Sequence, residues 1–393
     1  MRRTFEQHLD PEAGPKRILS LSGGGVRGLV TLGALAQLET MIRSEFDDPD
    51  MVLSDYYDLI AGTSTGSIIS VSLAMGWDVA RIKALYDELC PILFRPNRRL
   101  GLFKPRFEAQ KLQDVLEENL VDEDGNDLEL GSTALKTGLL VCAKRMDTDS
   151  AWLLTNNPKA SFFQPELNQS YLPNRHYKLK DLVRASTAAP TYLSPMRITI
   201  SDGSAGFPRE EGVFVDGAIG GQNNPSLAAL KIATLPSYKF NWKLGADQLS
   251  ILSIGTGYFR QRVGTEAFLK RRTVEQGIAA LGSMISESER NTLIMLQALS
   301  NPKRPRIINS EIEGLEGELL TPEPILSFQH VDVQLNNNNV RKRLKLHDLK
   351  GAQIDKITAG LRDMANGRKK NLAYCYQLGA SLGTDLMKDD LFI

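Results

Sequence analysis

Twice near its N-terminus the chain runs from an apolar strand into a glycine turn and out into an apolar helix. The first unit is RILSLS (residues 17–22), then GGGVRG (23–28), then a helix from Leu29. The second is YDLIAG (57–62), then a turn around Ser64, then a helix from about Gly66 to Met75. A strand can reach a parallel neighbour only by a long crossover, and a helix supplies one. The expected fold class is therefore α/β, with helices over a mostly parallel central sheet.

Further strands are expected at residues 137–144, 151–155, 212–216 and 249–255, and a third helix over 78–89. Asn224 and Pro225 have the chemistry of a helix cap and first helical residue. Ile278, Leu281, Met284, Ile285, Leu296 and Leu299 recur near helical spacing, which predicts a long helix over 273–299. After NPKRPR (301–306), residues 325–335 read as a strand, 336–339 as a loop, and the remainder as one or two helices. The division expected is an N-terminal extension (1–16), a main α/β domain (17–310), and a C-terminal segment (311–393) packed on it or forming a small appendage.

A chain of 393 residues can bury a sizeable core. Its 47 basic and 47 acidic side chains cancel, so no overall field draws it to a nucleic-acid polymer. Cys90, Cys142 and Cys375 are far apart, which fits neither a disulfide framework nor a zinc site and suggests a reducing compartment. Arg2 and Arg3 are followed by no apolar core of a signal peptide. The longest apolar candidate, residues 59–77, is broken by glycines and serines and is too polar for a membrane span. A cytoplasmic protein is expected.

Three short motifs carry chemistry. Gly23, Gly25 and Gly28 satisfy the dinucleotide fingerprint, but the next strand lacks the acid that would hold a ribose. The same glycines could instead let backbone amides crowd around a negative oxygen at a helix N-terminus. In GTSTG, Gly62 and Gly66 flank Ser64, a pattern that forces a serine out above a sheet on a sharp turn; a plain small-residue turn reads the same way. Asp216 ends a strand and precedes Gly217 and Ala218. It suits a group at the carboxyl edge of a parallel sheet, and equally an ordinary turn former.

Taken together, GGGVRG (23–28), GTSTG (62–66) and DGA (216–218) resemble the patatin-like phospholipase family, in that family's order. ASTAAPTY (185–192), Asn223–Pro225 and SIGTG (253–257) resemble family segments too, so the likeness covers about residues 17–257. It implies a three-layer α/β/α fold related to the α/β hydrolases and a Ser–Asp dyad without histidine. Carried over, Ser64 is the nucleophile and Asp216 the base. Thr63 and Thr65 complete the elbow with Gly62 and Gly66, and Gly217 and Ala218 complete the acid motif. Gly24 and Gly25, with neighbours among Gly23, Val26, Arg27 and Gly28, form the oxyanion hole. The implied substrate is a membrane phospholipid ester, with transient contact at the inner membrane surface. No metal or cofactor is implied. Some relatives are effectors switched by a cyclic nucleotide, which would make such a ligand a regulatory partner. Two rival readings remain, a nucleotide-binding oxidoreductase and a catalytically silent lipid-binding protein.

Five residues or segments are weighed beside this scheme. His176 and His330 could complete a triad only by geometry that spacing does not reveal. Arg27 could shape the glycine loop, meet a phosphate or form a surface ion pair. Residues 94–107 mix basic and phenylalanine side chains, as a lid at a lipid surface or a packed loop would. The basic run 341–347 reads as a solvated helix face.

Overall fold

A computed structural model describes residues 2–94, 105–164, 171–260 and 263–387. Among these, eight strands form a single sheet. They are β1 (Lys16–Leu21), β2 (Leu59–Thr63), β3 (Gly138–Arg145), β4 (Ser150–Thr155), β5 (Met196–Asp202), β6 (Arg209–Asp216), β7 (Leu249–Ile254) and β8 (Ser327–Val331). The order is β5-β6-β3-β2-β1-β7-β8, with β4 on β3. From β3 through β2, β1 and β7 to β8 every pairing is parallel. Strands β4, β6 and β5 pair antiparallel, so the sheet is mixed around a parallel centre. The turn from β3 to β4 is short, and a short link can only reverse direction.

The first helices are α1 (Phe5–Leu9), α2 (Gly28–Glu45), α3 (Leu53–Tyr56), α4 (Thr65–Ala74), α5 (Val79–Leu93), α6 (Ala109–Asn119) and α7 (Leu179–Ser186). They are followed by α8 (Ser226–Thr234), α9 (Thr265–Leu269), α10 (Thr273–Ser300), α11 (Asn337–Arg343), α12 (Gly351–Arg362) and α13 (Lys369–Met387). Alternate strand residues feed opposite cores, as the two-residue period of a strand requires. Leu19, Ile60, Val141 and Leu252 point to the layer that holds α2, α4, α5 and α13. Ile18, Leu59, Leu140 and Ile251 point to the layer that holds α8 and α10. Three layers, helix on sheet on helix, result.

Several sequence expectations need correction at the C-terminal side. Helix α8 begins at Ser226, one residue later than Pro225, although the Asn224 Oδ1 still accepts the Ser226 amide at 3.1 Å. Residues 336–339 are no loop: Asn336 caps α11 by accepting the Asn339 amide at 2.9 Å. Strand β8 stops at Val331, where the Asp332 carboxylate turns inward to accept the Gly257 and Val333 amides at 2.7 Å each. Three helices follow β8. The last of them, α13, lies against α2 so closely that a Cβ on Gly379 would run into the Val30 carbonyl oxygen. Strand β5 and helices α6 and α7 carried no signal that the sequence reading used. No helix among the described residues is long and apolar enough to cross a membrane.

Candidate active site

Strands β1, β2 and β6 deliver the three motifs to one edge of the sheet. At the end of β2, Ser64 has φ 54° and ψ −126°, a conformation that non-glycine residues avoid. Gly62 and Gly66 make the turn sterically possible. A Cβ on Gly62 would strike the Gly66 carbonyl oxygen, and one on Gly66 would strike that of Leu21. The strained turn is held from several sides. The Ser64 amide donates to Ser186 Oγ at 2.9 Å, and Ser186 Oγ donates to the Cys142 carbonyl at 2.7 Å. Ser67 Oγ donates to the Ser64 carbonyl at 2.6 Å. Thr63 Oγ1 reaches the Gln222 carbonyl at 2.5 Å, and Thr65 Oγ1 meets the Tyr86 hydroxyl at 2.6 Å.

Asp216 ends β6 and is 3% exposed. Burial pushes its carboxyl up to about 6, while the Ala218 amide and the Ser64 side chain, both hydrogen-bonding to it, pull the other way. The Ala218 bond to Asp216 Oδ1 is 2.9 Å, so the glycine–alanine step after the acid fixes its orientation. A carboxylate made more basic by burial, at the same sheet edge as a half-buried serine hydroxyl, has the chemistry to take its proton.

The glycine loop turns directly beside Ser64. Gly25 has φ 60°, and a Cβ there would collide with the Met364 carbonyl oxygen. Most amides of the loop are already engaged. Gly23 donates to the Asn223 carbonyl at 3.0 Å, Val26 to Met364 at 2.9 Å, and Arg27 to Gly24 at 3.2 Å. Gly28 donates back to Gly25. Among the described residues, only Gly24 and Gly25 of the six retain an amide without a protein acceptor. Arg27 is no surface residue. It is buried, with Nη1 on the Gly257 carbonyl at 3.1 Å and the Asp332 carboxylate nearby.

An apolar pocket opens on Ser64 and Gly25, walled by Ile68, Leu89, Leu93, Phe94, Phe107, Tyr192 and Met364. The Phe94 and Phe107 rings meet edge to face at 5.3 Å. Residues 95–104 between them, most of the basic and aromatic stretch read as a lid, lie outside the described residues. Three of the four histidines are engaged elsewhere: His176 with Glu129 at 3.0 Å, His330 with Ser253 at 2.9 Å, and His8 with Asp58 at 2.9 Å. Among the described residues no cluster of His, Cys, Asp and Glu is arranged to hold a metal ion.

Sequence reasoning did not find Ser186, Met364, Thr256 or Tyr86. Ser186 stood inside the ASTAAPTY segment but without a role. Thr256, whose Oγ1 donates to the Gly23 carbonyl at 2.9 Å, stood in SIGTG. Met364 had no local signal at all, because it contributes a carbonyl and a side chain from a loop remote in sequence.

The family described as Patatin-like phospholipase matches residues 19–230. Patatin-T5 of Solanum tuberosum is 27% identical over 269 residues, which is 66% of this chain and 63% of that protein. The match therefore spans less than two thirds of that relative's length. Patatin-like protein 1 of Arabidopsis thaliana is 27% identical over 370 residues, 82% of each chain. The crystal structure of VipD from Legionella pneumophila superposes with a TM-score of 0.42 at 12% identity, covering 95% of this chain and 67% of VipD.

Proposed function

Because this chain belongs to the patatin-like phospholipase family, we propose that it is a serine lipid acyl hydrolase acting on fatty-acyl esters of membrane phospholipids. The observation that carries the reading is the buried Asp216 carboxyl, brought by strand pairing to the same edge as the strained Ser64, beside two uncommitted loop amides.

The acyl chain enters the apolar pocket, which sets the ester carbonyl over Ser64. Asp216 takes the hydroxyl proton as Ser64 Oγ attacks, and the amides of Gly24 and Gly25 receive the oxyanion. Collapse expels the lysolipid alkoxide, which takes the proton from Asp216, and leaves an acyl-serine. Water then attacks the acyl carbon, Asp216 takes its proton and returns it to Ser64, and the fatty acid departs.

The oxidoreductase reading fares worse. Strand β2 ends in Thr63, followed by Ser64, with no acid for a ribose, and Met364 already occupies the Val26 amide that a pyrophosphate would use. A cyclic nucleotide would find few polar partners in the pocket at Ser64, so the proposal includes no such regulator. A silent lipid-binding protein would have no use for a buried base touching the serine.

The deciding experiment is fatty-acid release from mixed phospholipid vesicles by the wild type, Ser64→Ala, Asp216→Asn and His176→Ala. The proposal requires loss in the first two variants and retention in the third. Undiminished release by Ser64→Ala would end it.

A further inference from the structure

Helix α9 and the first turns of α10 stand away from the body beside the candidate site. No residue of α9 is buried, and burial in α10 begins only at Thr292. The stretch is nevertheless apolar. Phe268, Leu269, Val274, Ile278 and Met284 are all exposed, with Leu269 at 66%, Val274 at 65% and Met284 at 69%. Val274, Ile278, Leu281 and Ile285 follow one face of the helix. Exposed apolar area of this density marks an interaction surface.

Charge says which surface. Lys270, Arg271 and Arg272 sit between the two helices, and the Arg271 guanidinium lies over the Phe268 ring at 5.3 Å. The acids nearby are Glu266 and Glu275, and Glu275 caps α10 by accepting the Arg272 amide at 3.0 Å. Apolar side chains on both sides of a basic cluster suit the boundary between acyl chains and anionic headgroups.

The root of the helix is tied to the catalytic edge. Ser288 Oγ donates to the Gly221 carbonyl at 2.7 Å, in the loop that follows Asp216. Glu289 hydrogen-bonds with Asn223, whose carbonyl accepts the Gly23 amide. At 1.5 Å per residue, the turns before Ser288 reach roughly 20 Å beyond that root.

We propose that α9 and the first turns of α10 are a docking arm that inserts into the surface of an anionic phospholipid bilayer and holds the Ser64 pocket against it. The arm's purpose rests on the hydrolase reading, but its membrane binding can be measured without turnover.

The test uses the full chain carrying Ser64→Ala, co-sedimented with vesicles of phosphatidylcholine alone or with phosphatidylglycerol. Leu269→Asp, Ile278→Asp and Met284→Asp combined should lower the bound fraction at least tenfold on the anionic vesicles. Lys270→Glu with Arg272→Glu should abolish the preference for phosphatidylglycerol, as should salt of about 1 M, which shrinks the Debye length to about 3 Å. With Ser64 restored, the same variants should keep turnover of a soluble short-chain ester, which also reports an intact fold, and lose turnover on vesicles. Vesicle binding indifferent to both sets overturns the arm. So does sedimentation velocity showing that the apolar surface joins two copies while vesicles are ignored. If no ester is cleaved yet binding follows the arm, the docking inference stands and the hydrolase reading falls.

Discussion

Thr63 and Asp216 occupy successive positions along one edge of β3: Thr63 pairs with Cys142, and Asp216 pairs with Ala143. Strand β4 fills the opposite edge, so β2 and β6 must meet end to end on the same side. The residue after Thr63 is Ser64. Two strands from distant parts of the chain thereby bring a hydroxyl and a carboxylate together without any local sequence linking them.

This juxtaposition predicts that Ser64→Ala and Asp216→Asn each lower ester turnover by about 10⁴-fold, and that the double variant is little worse. Residues acting as one unit do not add. Steady-state kinetics on a soluble ester test it, and additive losses would show that the two act separately.

Acidity gives a second expectation. If Asp216 is the base, it can act only when ionised, so kcat/KM should rise with pH through about 6 and then level. The same burial has a cost in stability. A carboxyl raised in the folded state favours folding when protonated, and that contribution is lost as pH climbs from about 4 to about 6. At neutral pH the loss is of order 3 kcal/mol, about two units at 1.36 kcal/mol each. Asp216→Asn should therefore melt higher than the wild type at pH 8, with the difference vanishing near pH 4. A rate profile that titrates near 4 would contradict the assignment.

Ser186 is a positioning residue, since it bridges the Ser64 amide and the Cys142 carbonyl. Ser186→Ala leaves that amide unpaired, at a cost of about 1–3 kcal/mol in stability. Displacing the elbow by even a fraction of an ångström should lower kcat by ~10–100-fold while KM changes little. An unchanged kcat would mean the turn is held well enough without it.

Gly25→Ala introduces a Cβ against the Met364 carbonyl at a residue with positive φ. The loop must move, and with it the amides proposed to receive the oxyanion, so turnover should fall about 100-fold or more. Substrate binding, measured on the Ser64→Ala background with a non-hydrolysable ether lipid, should persist. Normal turnover in Gly25→Ala would exclude the loop from the chemistry.

Met364→Ala separates the two contributions of one residue. Its carbonyl still accepts the Val26 amide, but the pocket loses part of a wall. The ratio of kcat/KM for long over short acyl esters should rise about tenfold, since one or two methylenes of apolar contact are worth that much. An unaltered chain-length profile would remove Met364 from the acyl site.

The local plan of the molecule was readable because it is written in neighbouring residues. Apolar runs entering and leaving glycine turns locate β1, β2, α2 and α4, and three short motifs name the groups that need explaining. The Asn336 cap was mistaken for a loop, because a run of asparagines looks like a turn until the amide of Asn339 is seen to need an acceptor. Ser186, in a stretch already singled out, was legible as a segment but not as a contact.

What sequence alone settled, then, is which chemistry could be present: a serine on a glycine elbow, an acid at a strand end, and a loop of glycines. What only the tertiary structure decided is which of these groups share one edge of the sheet and which amides remain free. Ser64 and Asp216 reach one edge of the sheet because β3 offers that edge to two strands, and Gly24 and Gly25 stay uncommitted because Asn223 and Met364 engage their neighbours. The physical reason is that strand pairing and hydrogen-bond saturation act through space, so their outcome belongs to the packed sheet and not to any stretch of chain.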